Sequence, residues 1–449
     1  MRIGLDGLPL TSPKSGVGHY TYELARALAV IEPATSFELT YPSTYPSITL
    51  TAADDSRQRP ANLKVERVPV GPLGRHWWSI GLPQYIRREQ LQLFHGTNYD
   101  VPLRRHCATV LTVHDLSLFL HPETHPQRSV NRARRRLPLM TRTADAIIVP
   151  TESIRGEVCE HLKVSPEKVF AIPEAARASF RPIDLNQTAD IRRRLGVREN
   201  FLLAVGTIEP RKNLGLLINA FEELARAQPD NDLQLIIAGG HGWLSGPLFE
   251  ALEKSPVRKH ILLTDYLHDD DLRGLYASCR AFVYPSIYEG FGLPPLEAMA
   301  CGAPVIASRI PTLIETLGSA AQFFDPQNSE QLAEAIIEVT TNQDLRERLK
   351  AAGLQQAENF SWERTARLTL EVYEVARKKF REQTGFAQRV NKPGGWPFQN
   401  RERLATGQMF NCRKLSKLVR SLMRHRRSRL RDRSLALPVL TQPRPLVQN

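Results

Sequence analysis

Cysteine is scarce in this chain. Five residues in 449 (Cys107, Cys159, Cys279, Cys301 and Cys412) are scattered, odd in number and nowhere paired as Cys-x-x-Cys. That excludes a disulfide-built fold and predicts reduced, mostly buried thiols in a cytoplasmic protein. No apolar run reaches the ~18 residues that a membrane span requires. The first residues, MRIGLDGLPL, have no long apolar stretch behind a basic start, so they do not read as a secretory signal. A Gly-x-Gly-x-x-Gly is missing as well: after Gly16 and Gly18, position 21 is Thr. A dinucleotide-binding loop loses its best support there. Charge of one sign is also absent from most of the chain. The net +13 is carried by residues 384–449, which hold 15 Lys and Arg against 2 Asp and Glu, while residues 1–383 hold 45 of each. The body is neutral and a basic tail carries the whole excess.

What the chain does have is alternation. Hydrophobic content of 42% and charged content of 24% are globular values, and the length implies two domains. MRIGLDG, LQLFH (91–95), TVLTVHD (109–115), AIIVP (146–150) and KVFAIPE (168–174) read as strands. YTYELARALAV (20–30) reads as a helix with Tyr20, Leu24, Ala27 and Leu28 on one face. Residues 1–174 form the first domain on this reading, and the irregular, polar residues 175–199 form a linker. The pattern restarts with FLLAVG (201–206), LQLIIAGG (233–240), HILLTDY (260–266), RAFVYPS (280–286), APVIAS (303–308) and AQFFDP (321–326), giving a second domain over 200–359. A helix follows over 360–383, with Phe360-Ser361 as its N-cap, and then the tail, 384–449. The fold class is α/β: two Rossmann-like, doubly wound domains with buried parallel sheets. Ligands in such sheets bind outside the carboxyl ends of the strands, and every motif below lies at one of those ends.

YEGFGLPPLEAMACGAPVIAS (288–308) places Glu289 and Glu297 eight positions apart. Gly290 and Gly292 permit positive φ and close backbone approach to a ligand. Pro294-Pro295 suit a helix start, which puts Glu297 in the first turn. Free N–H groups at that start favour a phosphate, and the two carboxylates accept from hydroxyls. A nucleotide-activated sugar carries both. VGTIEPRKN (205–213) adds Arg211 and Lys212 at a strand-to-helix junction, where cations oppose the helix dipole unless an anion joins them. TSPKSGVGHY (11–20) gives a loop at Gly16 and Gly18 able to touch a phosphate. In VHDLS (113–117), His114 is a candidate to bind a sugar hydroxyl or assist a proton, or is structural; Asp115 fixes its tautomer or caps the next helix. His95 and Asn98, in HGTNYDVP, are further polar candidates at the neighbouring strand end. The run Asp269-Asp270-Asp271 precedes LRGLYASC and reads as a helix cap, not a metal site.

Taken in order, GLDGLPL with SGVGHYTYEL, HGTNYDVP, VHDLS, VPTES, VGTIEPRKN, YEGFGLPPLEAMACGAPVIAS and FSWERTA make the chain resemble a family 4 glycosyltransferase of the GT-B fold. The likeness spans about residues 1–380 and is strongest to mannosyltransferase-like members that build bacterial surface polysaccharides. It implies two domains facing across a cleft and a retaining, metal-independent transfer of a hexose, here expected to be mannose, from a nucleoside-diphosphate sugar to a saccharide or lipid-linked acceptor. GDP-mannose is the expected donor, with no separate cofactor. On this resemblance Glu289 holds donor-sugar hydroxyls and Glu297 the ribose diol. Arg211 and Lys212 neutralise the diphosphate, with the Gly16 and Gly18 loop closing over it. His114 touches the sugar near the reacting carbon, and Tyr266 and Leu267 cradle the base. Gly290, Phe291, Gly292 and Leu293 complete the donor site. Some members carry an additional Arg directly after the Gly of the VG turn; here that position is Thr207, which shifts weight onto Arg211 and Lys212.

Two basic segments remain. Arg128, Arg132, Arg135 and Arg142 recur at helical spacing. In the tail, Leu415, Leu418, Val419, Leu422 and Met423 follow a 3.6 period opposite Lys414, Lys417, Arg420, Arg424 and Arg427. This is the pattern of an interfacial helix on an anionic membrane surface; a disordered basic tail that binds nucleic acid nonspecifically is the other reading. Trp77-Trp78 line the acceptor cleft or pack the core. Two rival functions stand beside the transferase: a nucleotide-dependent oxidoreductase, which requires the missing glycine pattern, and a non-catalytic sugar-nucleotide-binding protein.

Overall fold

Most strands are rich in Val, Ile, Leu, Phe and Ala, a composition that suits burial on both faces. The first sheet contains β1 (Arg2–Asp6), β2 (Ser36–Pro42), β3 (Leu63–Val68), β4 (Leu93–Gly96), β5 (Ala108–Thr112), β6 (Ala146–Val149) and β7 (Val169–Ala171). All its pairs are parallel, in the order β3-β2-β1-β4-β5-β6-β7. The second contains β8 (Phe201–Val205), β9 (Gln234–Ala238), β10 (Ile261–Thr264), β11 (Ala281–Tyr284), β12 (Val305–Ser308) and β13 (Ala321–Phe324), in the order β10-β9-β8-β11-β12-β13. Strand order reverses beside β1 in one sheet and beside β8 in the other, which opens a crevice at each set of carboxyl ends. The structure is a computed structural model that describes residues 1–12, 16–48, 59–72, 76–228 and 232–390. Met1–Thr384 forms one compact unit that holds both sheets. Among the described residues no helix is long and apolar enough to cross a membrane.

The elements differ from the sequence reading in four places. β2 (SFELTYP) and β3 (LKVERV) were not foreseen, because they interleave polar residues; β3 lies at the sheet edge, where charged side chains block further pairing. The stretch 175–199 is not irregular throughout: it contains the helix Leu185–Leu195, and Arg194 on that helix pairs with Asp271 of the second domain. The first helix starts at Gly16, so Gly16 and Gly18 lie in its first turn and not in a loop; residues 13–15 fall outside the described ones. The C-terminal helix runs Trp362–Val390, past residue 383. Its start is as expected, with Ser361 Oγ accepting from Arg364 N at 3.2 Å. The helix crosses to the first domain: Trp362, Ala366, Val372, Tyr373 and Ala376 share a core with Ile3, Leu5, Tyr20 and Leu24. The patterned tail segment, 414–427, lies outside the described residues.

Candidate active site

β8 is followed by Gly206, whose φ of 149° leads the chain into a turn over Pro210–Lys212 before the helix Leu214–Ala227. β11 ends at Tyr284 and leads to Glu289. The two turns meet. Arg211 Nη1 donates to Glu289 Oε2 at 2.9 Å and to the Tyr288 carbonyl at 2.9 Å. Lys212 Nζ donates to Glu289 Oε1 at 2.6 Å and to the Tyr284 hydroxyl at 2.8 Å. Arg211 Nη2 reaches Glu209 at 2.6 Å. Two partly buried cations and two buried carboxylates are thus held together at the carboxyl ends of β8 and β11. Burial pushes the Glu289 carboxyl up, but Arg211 and Lys212 overcome this and hold it at about 2. Glu289 is therefore an acceptor at neutral pH and not an acid. A carboxylate has about four lone-pair directions, so both oxygens retain capacity for hydroxyls.

Glu297 departs from expectation in position and company. The helix Leu293–Ala300 begins after Gly292, at φ 100°, and Glu297 is its fifth residue, beyond the first turn. Its partner is Arg177, from the segment read as a linker. Arg177 Nε donates to Glu297 Oε1 at 3.0 Å, and its Nη1 forks onto both oxygens of Asp269 at 2.6 and 2.7 Å. The Phe180 ring centre lies 4.4 Å from the guanidinium. Asp269 and Asp271 are not caps, since His268 is the N-cap and makes no side-chain cap bond; they receive Arg177 and Arg194 instead. Tyr266 and Leu267 follow β10 in a loop, with Tyr266 half exposed.

Across the cleft, His114 lies two residues beyond the end of β5. Its Nε2 lies 2.8 Å from the Thr97 carbonyl and its Nδ1 3.2 Å from Glu174 Oε1. Both ring nitrogens face acceptors, an arrangement that favours protonation of both. Burial opposes that charge, but the Glu174 hydrogen bond and charge raise the pKa overall. Glu174 orients the ring, not Asp115, whose Oδ1 caps Ser117 through its N–H and hydroxyl at 2.9 and 2.8 Å. His95 is buried, with Nδ1 2.8 Å from the Tyr373 hydroxyl and Nε2 2.7 Å from Thr112, so its role is structural.

The two domains touch at the site itself. Tyr288 OH accepts from Leu116 N at 2.9 Å and donates to Glu157 at 2.6 Å. Thr151 Oγ1 donates to the Gly290 carbonyl at 3.1 Å. A Cβ at Gly290 would collide with the His114 carbonyl, so Gly290 is needed for close approach and not for positive φ. Glu315 accepts from Glu152 N at 2.7 Å and Ser153 N at 3.0 Å, capping the helix Glu152–Leu162 from the opposite domain. Sequence reasoning missed Arg177, Glu174, Tyr288 and Glu315.

Two parallel-sheet domains closed over paired carboxylates and cations give the chain the GT-B architecture. The profile described as Glycosyltransferase Family 4 matches residues 14–176, and that described as Glycosyl transferases group 1 matches residues 187–356. O-antigen chain mannosyltransferase B of Escherichia coli is 29% identical over 388 residues, which is 84% of this chain and 100% of that protein. Serotype-specific mannosyltransferase WbdA of Escherichia coli is 35% identical over 231 residues, 51% of this chain but 28% of that longer protein. The crystal structure of Anabaena HepE with UDP and glucose superposes with a TM-score of 0.64 at 18% identity, covering 83% of this chain and 99% of that one, a likeness of fold. The chain belongs to the family 4 glycosyltransferases and is a hexosyltransferase, which sets aside the oxidoreductase and the non-catalytic binding protein.

Proposed function

We propose that the protein transfers mannose, with retention of configuration, from GDP-mannose to a saccharide or lipid-linked acceptor in polysaccharide synthesis. The observation that carries this reading is Glu289 held ionised between Arg211 and Lys212 at the crevice of the second sheet. In the proposed reaction these cations turn to the donor's diphosphate, where negative charge grows as the anomeric C–O bond breaks. They supply the positive charge there, so the proposed step needs no metal ion and no cofactor. Glu289 accepts from sugar hydroxyls, and Glu297, backed by Arg177, accepts from the ribose diol. Tyr266 and Leu267 bracket the base; Gly16, Gly18 and the Gly290–Leu293 segment, with Phe291 and Gly292, close around the phosphates and sugar. The His114 imidazolium places a positive group across the cleft near the sugar.

Retention is supported by the engagement of the carboxylates near the site: Glu289, Asp115 and Glu174 accept from neighbours, and Glu209 does so through one of its two oxygens. The acceptor hydroxyl then attacks on the face the diphosphate leaves, and its proton passes to the departing phosphate oxygen. Mannose is supported by the mannosyltransferase relatives. A cytoplasmic site of action, with the basic tail on an anionic membrane face, suits a lipid-linked acceptor; flotation with anionic and neutral vesicles, comparing the full chain with one ending near Glu382, tests it. The donor is tested by thermal shift with GDP-, UDP- and ADP-sugars, since a ligand of the folded state raises stability, and by NMR of the product anomer. Stabilisation by GDP-mannose and an α-linked product are expected. An inverted product, or no response to any nucleotide sugar, overturns the reading.

A further inference from the structure

Two features that the donor site leaves unused come together on the first domain. The helix Gln127–Thr143 holds six arginines and no acid. Arg136 is paired with Asp100. Arg132 is exposed and makes no hydrogen bond or ion pair among the described residues, and Arg128 and Arg135, one turn away on either side, are exposed as well. Like charges at i,i+3 and i,i+4 cost about 0.2–0.5 kcal/mol per pair, and cations near a helix N-terminus oppose its dipole. Asp100 offsets part of this charge, through its pair with Arg136 and its attraction to Arg132; an anion stabilises the remainder.

The anion has a cavity to enter. Arg132 and Arg136 line a space of about 220 Å³ together with Tyr45, His76, Trp77 and Trp78. It is also lined by Leu8, beyond β1, by Pro42, the last residue of β2, and by Thr44, so it lies on the carboxyl edge of the first sheet, as His114 does. Trp77 and Trp78 start a five-residue π-helical turn, Trp77–Gly81, an irregularity frequent at functional sites. Trp77 is 5% exposed, yet its indole N–H has no partner among the described residues. A buried donor without an acceptor costs about 1–3 kcal/mol, and the residue that carries it lines this cavity. Trp78 and the half-exposed Tyr45 add aromatic faces suited to the C–H face of a pyranose.

We propose that this cavity binds a phosphate carried by the acceptor, with Arg132 on the phosphate, Arg128 and Arg135 at the rim, and the tryptophans against the adjoining sugar. The inference rests on the transferase reading and names its acceptor class as an anionic, phosphate-bearing saccharide. The phosphate is either that of a soluble sugar phosphate or that of a lipid-linked diphosphate.

The test compares three acceptors bearing one mannobiose: its 1-phosphate, its farnesyl diphosphate and its octyl glycoside. Because Arg132 has no hydrogen-bonding partner to lose, Arg132→Gln is expected to fold and melt as the parent does. It should lower kcat/KM for a phosphate-bearing acceptor by roughly ten- to a hundredfold, the worth of a hydrogen bond to a charged group. Transfer to the octyl glycoside and the thermal shift by nucleoside diphosphate should not change. The acceptor that suffers the loss identifies the phosphate's source. Calorimetric titration with farnesyl diphosphate alone, at saturating GDP, gives a second readout that does not depend on transfer. Binding should weaken in Arg132→Gln and not in Lys212→Gln. An equal fall on all three acceptors, no fall on any, or a variant that loses only anionic phosphatidylglycerol vesicles overturns the proposal. Failure of the donor to stabilise the parent chain overturns the transferase reading instead.

Discussion

Glu289→Gln isolates the central electrostatic claim. In the parent, a carboxyl held at about 2 instead of its ordinary 4.5 favours the ionised form in the folded state; that difference is worth about 3 kcal/mol of stability at neutral pH. The folded-state pKa is depressed, so this stability is present above the unfolded value near 4.5 and is lost as pH falls through 2. The linkage relation leaves roughly 1 kcal/mol of it at pH 3. The amide in the variant keeps the shape and one acceptor but not the charge. Urea unfolding of parent and variant should therefore differ by about 3 kcal/mol at pH 7, and the gap should narrow to roughly 1 kcal/mol at pH 3. Nucleoside diphosphate binding should survive, because Arg211 and Lys212 are released from their carboxylate, while transfer should fall by about a hundredfold or more. A gap that does not change with pH, or a variant that transfers at the parent rate, would refute the reasoning.

Arg177→Ala leaves the buried Glu297 and the partly buried Asp269 without their shared cation; a loss of roughly 3–5 kcal/mol in urea unfolding is expected, with weaker nucleotide stabilisation in a thermal-shift assay than the parent shows. Gly290→Ala drives a methyl group into the His114 carbonyl and must part the domains. Small-angle scattering should report a larger radius of gyration, and kcat should drop while the far-ultraviolet circular dichroism changes little. The His114 pair titrates the other way from Glu289. Its pKa is raised in the folded state, so the stability it contributes is full below its ordinary value near 6.5 and is lost as pH rises through the raised one. The difference in urea midpoint between the parent and Glu174→Gln should shrink between pH 6 and pH 9, and a difference that grows would contradict an imidazolium at His114.

The parts of the site that were legible in the sequence are those whose partners are carried by short motifs at strand ends. Arg211, Lys212 and Glu289 announce themselves because glycines, prolines and charges crowd a few positions after an apolar strand. Arg177 does not: it sits in a polar stretch with no periodicity, and its partners lie 92 and 120 residues away. The same holds for Glu174, whose partner His114 is 60 residues distant, and for Glu315, whose role exists only once the helix Glu152–Leu162 is brought opposite. Apolar strands were legible for a related reason. A strand buried on both faces leaves a run, whereas β2 and β3 mix Glu, Lys, Arg and Thr into theirs and lose the signal. Gly16 was misplaced because a glycine pair near a helix start looks the same whether it precedes the first turn or belongs to it.

The contacts that close the cleft are built from the residues on either side of Glu289. Tyr288 bridges Leu116 N and Glu157, and Gly290 abuts His114 and accepts from Thr151. Backbone movement at Glu289 therefore changes the domain contact, and a change in the domain contact moves Glu289. Two consequences follow by linkage. A ligand that binds Glu289 better in the closed arrangement also stabilises closure, by no more than its preference for that arrangement. Closure, in turn, tightens the ligand by the same factor. Glu315 provides the counterpart without touching the site: it holds the helix Glu152–Leu162 across the interface, so its removal weakens closure and leaves the Arg211–Glu289–Lys212 cluster intact. Loss of donor affinity in Glu315→Gln, with that cluster's acid titration unchanged, would therefore be a measure of the coupling between domain contact and donor binding.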